Sequence, residues 1–109
     1  MQLDVTTDDG RMTVRCLGEW DVADATEVKE RLLGLLDGHR EMALDLSGVS
    51  FLDSAGVTCL VHAGREAGRL GINLSISKIN PAIKRILEKA QIWEYVKVAP
   101  EADLDRSQE

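Results

Sequence analysis

The chain has 109 residues, enough for one domain, and 44% of them are apolar although only 4% are aromatic. Its formal net charge of −6 disfavours non-specific binding to nucleic acid and to an anionic membrane surface. The sequence has no run of the roughly 18 apolar residues that a membrane-spanning helix needs, and its start lacks the pattern of a secretion signal. These features predict a cytoplasmic protein with an aliphatic core.

The first third of the chain is predicted to form a hairpin and a helix. Apolar residues at every second position predict two strands, and Asp9-Gly10 between them is typical of an antiparallel hairpin; the strands are residues 3–7 and 12–17. Asp21 or Asp24 is the expected N-cap of the following helix, and Gly38 its stop. The core positions of this helix recur at helical spacing: Ala25, Val28, Leu32, Leu35 and Leu36.

The middle of the chain is predicted to form a strand and a second helix. The strand covers residues 42–46 and is expected to end at Ser47-Gly48. The helix starts at Ser54 and ends near residue 70, since apolar and small residues recur there with a helical period. Its expected core positions are Val57, Leu60, Val61, Gly64 and Gly68.

The last third is predicted to form a strand, a helix and a short final strand. Residues 72–77 alternate as a strand, and Asn80-Pro81 is typical of a helix start, with Asn as cap and Pro in the first turn. The apolar face of this helix is expected to comprise Ile83, Ile86, Leu87 and Ala90. A short strand is expected at residues 95–98, and residues 100–109 are expected to be an acidic polar tail.

The predicted order of elements is β-β-α-β-α-β-α-β. Single-helix crossovers imply neighbouring parallel strands, so we expect an α/β fold with a mixed, mostly parallel sheet, an antiparallel edge hairpin and about three helices. No internal repeat and no low-complexity segment appears. The sequence therefore predicts a single domain over residues 1–99.

Ser54 is the candidate functional residue, and it has two interpretations. A hydroxyl at a helix start can cap free backbone N–H groups. It can also be a modification site, because the same donors and the helix dipole favour a phosphate there. Asp53 places a carboxylate directly before it.

Catalytic and metal sites are weakly supported. The Gly-x-Ser-x-Gly elbow of serine hydrolases is absent, His39 lies in a polar loop, and His62 is predicted to point away from the core. Cys59, His62 and Glu66 are predicted to share the solvent side of the second helix, which favours a docking surface over a metal site. We therefore expect no catalytic residue, no metal and no cofactor.

The roles of the two cysteines and of Trp20 are less specific. Cys16 and Cys59 form no Cys-x-x-Cys motif, which predicts two reduced and unrelated thiols. Trp20 follows a strand and precedes a turn acid, so it is either a core residue or an exposed binding anchor.

The segments at residues 18–21, 45–57 and 80–87 together resemble those of the STAS-domain anti-sigma factor antagonists of bacteria, the SpoIIAA and RsbV-like family. Gly-Glu-Trp-Asp at 18–21 resembles the family's Gly-Glu-Leu-Asp, and Asn-Pro-Ala-Ile-Lys-Arg-Ile-Leu at 80–87 resembles its third-helix opening. The segment Asp-Leu-Ser-Gly-Val-Ser-Phe-Leu-Asp-Ser-Ala-Gly-Val at 45–57 is similar to the family's strand, loop and Asp-Ser-Ser/Thr-Gly phosphorylation motif. The resemblance covers about residues 2–99 and implies a STAS-like fold.

The resemblance implies a switch protein without enzyme activity. Its unmodified form would bind an anti-sigma factor, which is a serine kinase using ATP, and would free a sigma factor. Phosphorylation of Ser54 would end that binding, and a PP2C-type phosphatase would reset the switch. We expect a monomer, with a weak dimer as the alternative. The expected partner-binding residues are Asp21, Asp53, Ser54, Gly56 and, on the outer face of the second helix, Cys59 and His62.

The sequence departs from the family pattern at two positions, and rival functions stay open. Ala55 replaces the usual second Ser or Thr, and Trp20 replaces a Leu. One rival is a STAS adaptor that is never phosphorylated, such as a subunit of a lipid-transport system. Another is an acyl carrier protein with phosphopantetheine on Ser54, which the predicted strands disfavour because carriers are helical bundles.

Overall fold

A computed structural model of the protein describes residues 1–104, with side chains described for residues 1–97. Five strands and three α-helices alternate in the predicted order, with one added 3₁₀ turn. In chain order they are β1 Gln2–Asp8, β2 Arg11–Trp20, α1 Val22–Leu36, β3 Glu41–Leu52, α2 Ser54–Leu70, β4 Asn73–Ile79, α3 Pro81–Ala90, the 3₁₀ turn Ile92–Glu94 and β5 Lys97–Leu104. Among the described residues no helix is both long and apolar enough to cross a membrane.

The strands lie in the sheet in the same order as in the chain, from β1 to β5. The β1–β2 pair is antiparallel and the other three pairs are parallel, which confirms the predicted fold class. The turn between β1 and β2 has positive φ at both Asp9 (51°) and Gly10 (81°), as a tight hairpin of this twist requires. The sheet rules out the helical bundle of an acyl carrier protein.

One face of the sheet carries the core. Crossovers between neighbouring parallel strands are right-handed, and here every step runs in the same direction, so the helices lie on the same face. Side chains of alternating sheet residues are buried beneath them, namely Met12, Val14, Cys16, Met42, Leu44, Leu46, Leu74 and Ile76. The opposite face is more polar, with exposed Arg15 and Lys78 paired in register on either side of Asp45.

The third strand is longer than predicted. It does not end at Ser47-Gly48 but continues to Leu52, because the chain passes through an irregularity in its pairing with β2. The Asp45 carboxylate accepts hydrogen bonds from the Ser47 backbone N–H at 3.0 Å and the Ser47 hydroxyl at 2.6 Å. A side chain thus satisfies a donor at the interruption, and the strand resumes beyond it.

The buried face of α2 is rotated from the predicted one. Leu60 and Gly64 are buried as expected, but Gly68 is exposed and Val57 and Val61 are only half-buried. The buried residues are Gly56, Cys59, Leu60, Ala63, Gly64 and Ala67. The prediction followed the larger aliphatic residues, whereas small residues face the sheet because the helix packs closely against its neighbours. A Cβ at Gly64, for example, would meet the backbone carbonyl of Tyr95.

In the C-terminal third, the structure confirms Asn80 as the cap of α3 but buries fewer residues of that helix than predicted. The Asn80 side chain accepts a hydrogen bond from Ile83 N–H at 3.0 Å and donates one to the Val49 carbonyl at 2.9 Å. Ile83 and Leu87 are buried, whereas Ile86 is 36% exposed and Ala90 lies in solvent, so those two were wrongly placed in the core.

The final strand also differs from the prediction. β5 begins at Lys97 rather than residue 95, because the 3₁₀ turn occupies the preceding segment. It runs to Leu104, so the predicted domain boundary at residue 99 falls inside a strand. The rest of the predicted tail, residues 105–109, lies outside the described residues.

Candidate functional site

Asp53, and not Ser54, caps the second helix. One carboxylate oxygen of Asp53 accepts hydrogen bonds from the N–H groups of Ala55 at 2.9 Å and Gly56 at 3.2 Å. Its other oxygen accepts one from the N–H of Val22 at 3.0 Å, in the first turn of α1. This carboxylate therefore joins the starts of two helices, and the capping interpretation of Ser54 was wrong.

Ser54 is the first residue of α2, and its side chain is exposed. In the part of the chain that the structure describes, its hydroxyl makes no hydrogen bond, while its carbonyl accepts one from the Thr58 hydroxyl at 2.9 Å. The hydroxyl is thus open to an incoming group. A phosphate there would find the N–H groups of Ala55 and Gly56 already bonded to the Asp53 carboxylate.

Asp21 caps α1 in the same way, beside this site. Its side chain accepts a hydrogen bond from Ala23 N–H at 3.1 Å, which decides between the two predicted caps. The adjacent Trp20 carbonyl accepts a bond from Asp53 N–H at 3.3 Å, so the two capping loops contact each other. Two half-buried carboxylates, Asp21 and Asp53, therefore lie at the positive ends of two neighbouring helices.

Gly56 lies beneath this surface rather than on it. It is buried, and a Cβ there would lie 2.9 Å from the Trp20 carbonyl oxygen and would meet the Leu52 side chain. Trp20 is completely buried, which settles its open role in favour of the core. The expected close approach at Gly56 is thus an internal one, and its expected contact with a partner was wrong.

Cys59 also lies in the core and not on the outer face of α2, so that prediction was wrong. It is 2% exposed, because its position on the helix faces the sheet. Burial raises the pKa of Cys59 to about 11, against opposing effects of the Lys29 charge and the Trp20 indole. Burial likewise raises the pKa of Cys16 to about 12. Both thiols are free and protonated near neutral pH, so neither is an activated nucleophile.

His62 is exposed, as predicted, but it does not reach Ser54. It lies two helical turns further on, about 12 Å along the axis. His39 follows α1, at the opposite end of β3. No group of three or more His, Cys, Asp or Glu able to hold a metal occurs among residues 1–97, whose side chains are described. The described residues therefore form no hydrolase triad at Ser54.

Two apolar residues near Ser54 were missed as surface features. Val22 is 75% exposed and Phe51 is 49% exposed, although both are large and apolar. Phe51 and Leu52 are adjacent apolar residues of β3, but only Leu52 is buried. The alternation of a strand would have separated them, since adjacent residues of a strand point to opposite faces.

The STAS domain profile matches residues 2–104 of the chain. The chain belongs to the STAS domain family. Its mixed sheet, with β1–β2 antiparallel and the other pairs parallel, and its three helices are thus those of a STAS domain.

Several proteins similar to this STAS domain are named anti-sigma factor antagonists. The chain is 20% identical over 103 residues to an anti-sigma-B factor antagonist of Bacillus subtilis, covering 94% of each chain. Among solved structures, it is similar to an anti-sigma factor antagonist from Mycobacterium paratuberculosis, with a TM-score of 0.79 and 23% identity over 91% of this chain and 85% of that one. It is also similar to the phosphorylated form of the Bacillus cell fate determinant SpoIIAA, with a TM-score of 0.64 and 14% identity over 92% and 93% of the two chains.

Proposed function

We propose that this STAS domain is an anti-sigma factor antagonist whose binding is switched off by phosphorylation of Ser54. The observation that carries the proposal is the exposed, unbonded Ser54 hydroxyl at the first residue of α2, held beside a capping carboxylate. The names of the relatives support it, as does SpoIIAA, a protein of similar fold that has been solved in both phosphorylated and unphosphorylated forms.

The switch works through local charge. Phosphorylation adds about −1.5 to −2 charges at neutral pH. The Asp53 carboxylate already occupies the N–H groups of Ala55 and Gly56, so the phosphate is repelled by Asp53 instead of being bound by those donors. An interface that fits a bare hydroxyl then loses affinity, and each loss of about 1.4 kcal/mol weakens binding tenfold.

The chain supplies a substrate hydroxyl and a binding surface, and its partners supply the chemistry. The anti-sigma factor is a serine kinase that transfers the terminal phosphate of ATP to the Ser54 oxygen and releases ADP. A PP2C-type phosphatase hydrolyses the phosphoserine and restores the binding form. The unmodified chain binds the kinase as a monomer in the cytoplasm, needs no cofactor, and thereby frees the sigma factor. Asp21 and Asp53 beside Ser54, and His62 further along α2, are contact residues for the kinase.

The test is phosphate transfer in a purified system. The chain is incubated with ATP and the histidine-kinase-like ATPase encoded in the same bacterium, and its intact mass is measured. We expect a gain of one phosphate that disappears in Ser54→Ala and persists in Thr58→Ala and Ser50→Ala, which remove other exposed hydroxyls nearby. A lack of phosphate transfer with every such kinase, combined with stable binding of another protein, would support the non-phosphorylated adaptor instead.

A further inference from the structure

A groove between α1 and α2 leads away from Ser54. A cleft of about 240 Å³ lies between the two helices next to the site; its lining includes Val22, Lys29, Ala55, Thr58 and His62. A second cleft of about 340 Å³ continues from it and is lined by Lys29, Leu33, His62, Arg65, Glu66 and Arg69. The two clefts share Lys29 and His62, so they form one continuous α1–α2 groove.

The groove follows one face of α2. At 100° per residue, Ser54, Thr58, Arg65 and Arg69 lie in a single stripe along the helix, about 22 Å from the first to the last. Ser54 therefore lies beside one end of the groove, next to the lining residues Ala55 and Thr58.

The charge of the α1–α2 groove opposes that of the whole chain. Its lining carries three cations, Lys29, Arg65 and Arg69, against one carboxylate, Glu66. Arg69 Nε donates to Glu66 at 3.0 Å, and this hydrogen bond lowers the pKa of Glu66. The Glu66–Arg69 pair is thus neutral, and Lys29 and Arg65 give the groove its positive charge. The guanidinium of Arg65 lies 5.1 Å from the ring centroid of Tyr95, which orients it. The net charge of the chain is −6, so this positive surface is local.

We infer that the α1–α2 groove binds an acidic segment of the anti-sigma kinase, with an apolar side chain of that segment against the 75% exposed Val22. This inference rests on the proposed function. It adds the chemistry of the partner segment, which the proposed function does not specify. Carboxylates of the segment pair with Lys29 and Arg65. A phosphate on Ser54 adds negative charge at the end of the groove and repels the same segment, so the groove links phosphorylation to release.

Charge reversal in the groove tests the inference. The dissociation constant for the anti-sigma kinase is measured for the native chain, for Lys29→Glu combined with Arg65→Glu, and for Lys89→Glu as a control on the exposed side of α3. We expect the double variant to bind about 30-fold more weakly, mainly through slower association, and the control to change less than about twofold. Raising the salt concentration from about 0.05 to about 0.5 M should weaken native binding. It should also narrow the difference in affinity between the native chain and the double variant.

Several results would overturn the inference. If the double variant and Lys89→Glu lost the same affinity per unit of charge changed, the loss would come from net charge and not from the groove. Unchanged affinity in a double variant with native urea stability would also overturn it. Self-association of the native chain that the double variant abolishes would assign the groove to a second copy.

The same samples separate this inference from the proposed function. Phosphate transfer to Ser54 in the native chain, with unchanged affinity in the double variant, refutes the groove alone. A native chain that no such kinase phosphorylates refutes the proposed function, and the groove inference falls with it.

Discussion

Polar side chains bind the backbone in different ways at the two ends of the parallel strands. At the hairpin end, the Arg40 side chain donates to the Asp9 carbonyl at 3.1 Å, and Arg40 N–H donates to the Gly10 carbonyl at 3.3 Å. That end also has a cleft of about 420 Å³, larger than either cleft of the α1–α2 groove. At the other end, carboxylates bind the helix starts and leave the Ser54 hydroxyl unused. The proposed site thus lies at the end with the smaller clefts, where the exposed Ser54 hydroxyl follows a capping carboxylate.

The largest expected effect lies at the unused hydroxyl. Ser54→Asp should weaken binding to the anti-sigma kinase about 100-fold, since it places a second carboxylate beside Asp53 within the interface. Its free energy of unfolding should change by less than about 0.5 kcal/mol, because the side chain is exposed. Titration calorimetry and urea unfolding measure the two quantities. Ser50→Asp, on an exposed strand position, is the matched control, and equal affinities of the two variants would contradict the charge mechanism.

The packing under the site should be the next most sensitive feature. Gly56→Ala should lower the free energy of unfolding by about 2 kcal/mol, because the new methyl meets the Trp20 backbone. Gly68→Ala on the exposed side of the same helix should raise it by about 0.5–1 kcal/mol, because a Cβ there meets nothing within 4 Å and alanine favours the helix. Urea unfolding of both variants tests which face of α2 is buried. A Gly56→Ala chain more stable than Gly68→Ala would contradict the observed face.

The capping carboxylate should stabilise both helix starts. Asp53→Ala should cost about 1.5 kcal/mol, because three backbone N–H groups lose their acceptor. Asp21→Ala removes the acceptor of one N–H group and should cost less. Thermal or urea unfolding measures both, and equal losses would argue against Asp53 as a link between the helices.

The buried thiols should make stability fall at alkaline pH. Burial raises the pKa of Cys16 to about 12 and of Cys59 to about 11, from an unperturbed value of 9.0. The thiols of the unfolded chain ionise first, so this stabilisation is complete below about pH 9 and is lost as the pH rises toward 11. The slope is up to about 1.4 kcal/mol per pH unit for each thiol. Urea unfolding at a series of pH values should give a smaller slope for Cys59→Ala, and an unchanged slope would refute the assignment.

The hairpin end should give the smallest effect and leave the site untouched. Arg40→Ala should cost about 1 kcal/mol through its lost hydrogen bond to Asp9. Phosphorylation of Ser54 in this variant should proceed at the native rate, because the two regions lie at opposite ends of the strands. A slowed phosphate transfer by a fully folded Arg40→Ala chain would show that the ends are coupled, and the contrast between them would fail.

The sequence predicted those features of local structure that a few neighbouring residues determine. The Asp9-Gly10 turn, the Asn80 cap and the order of strands and helices all follow from short-range sterics and hydrogen bonding. The parallel sheet follows in turn from that order. Ser54 was identified as the candidate, and Asp53 as its neighbour, from the same stretch of chain.

The tertiary structure decided what depends on distant residues. The buried face of α2 is chosen by close contact with other elements, such as Tyr95 near Gly64, and this contact places Cys59 inside. β3 continues past Ser47 because Asp45 and the neighbouring strands satisfy its backbone. Asp53 binds Val22, 31 positions away in the chain, and so becomes the link between two helices. The sequence by itself determined which elements form and where the serine lies; long-range packing determined which side chains remained free to meet a partner.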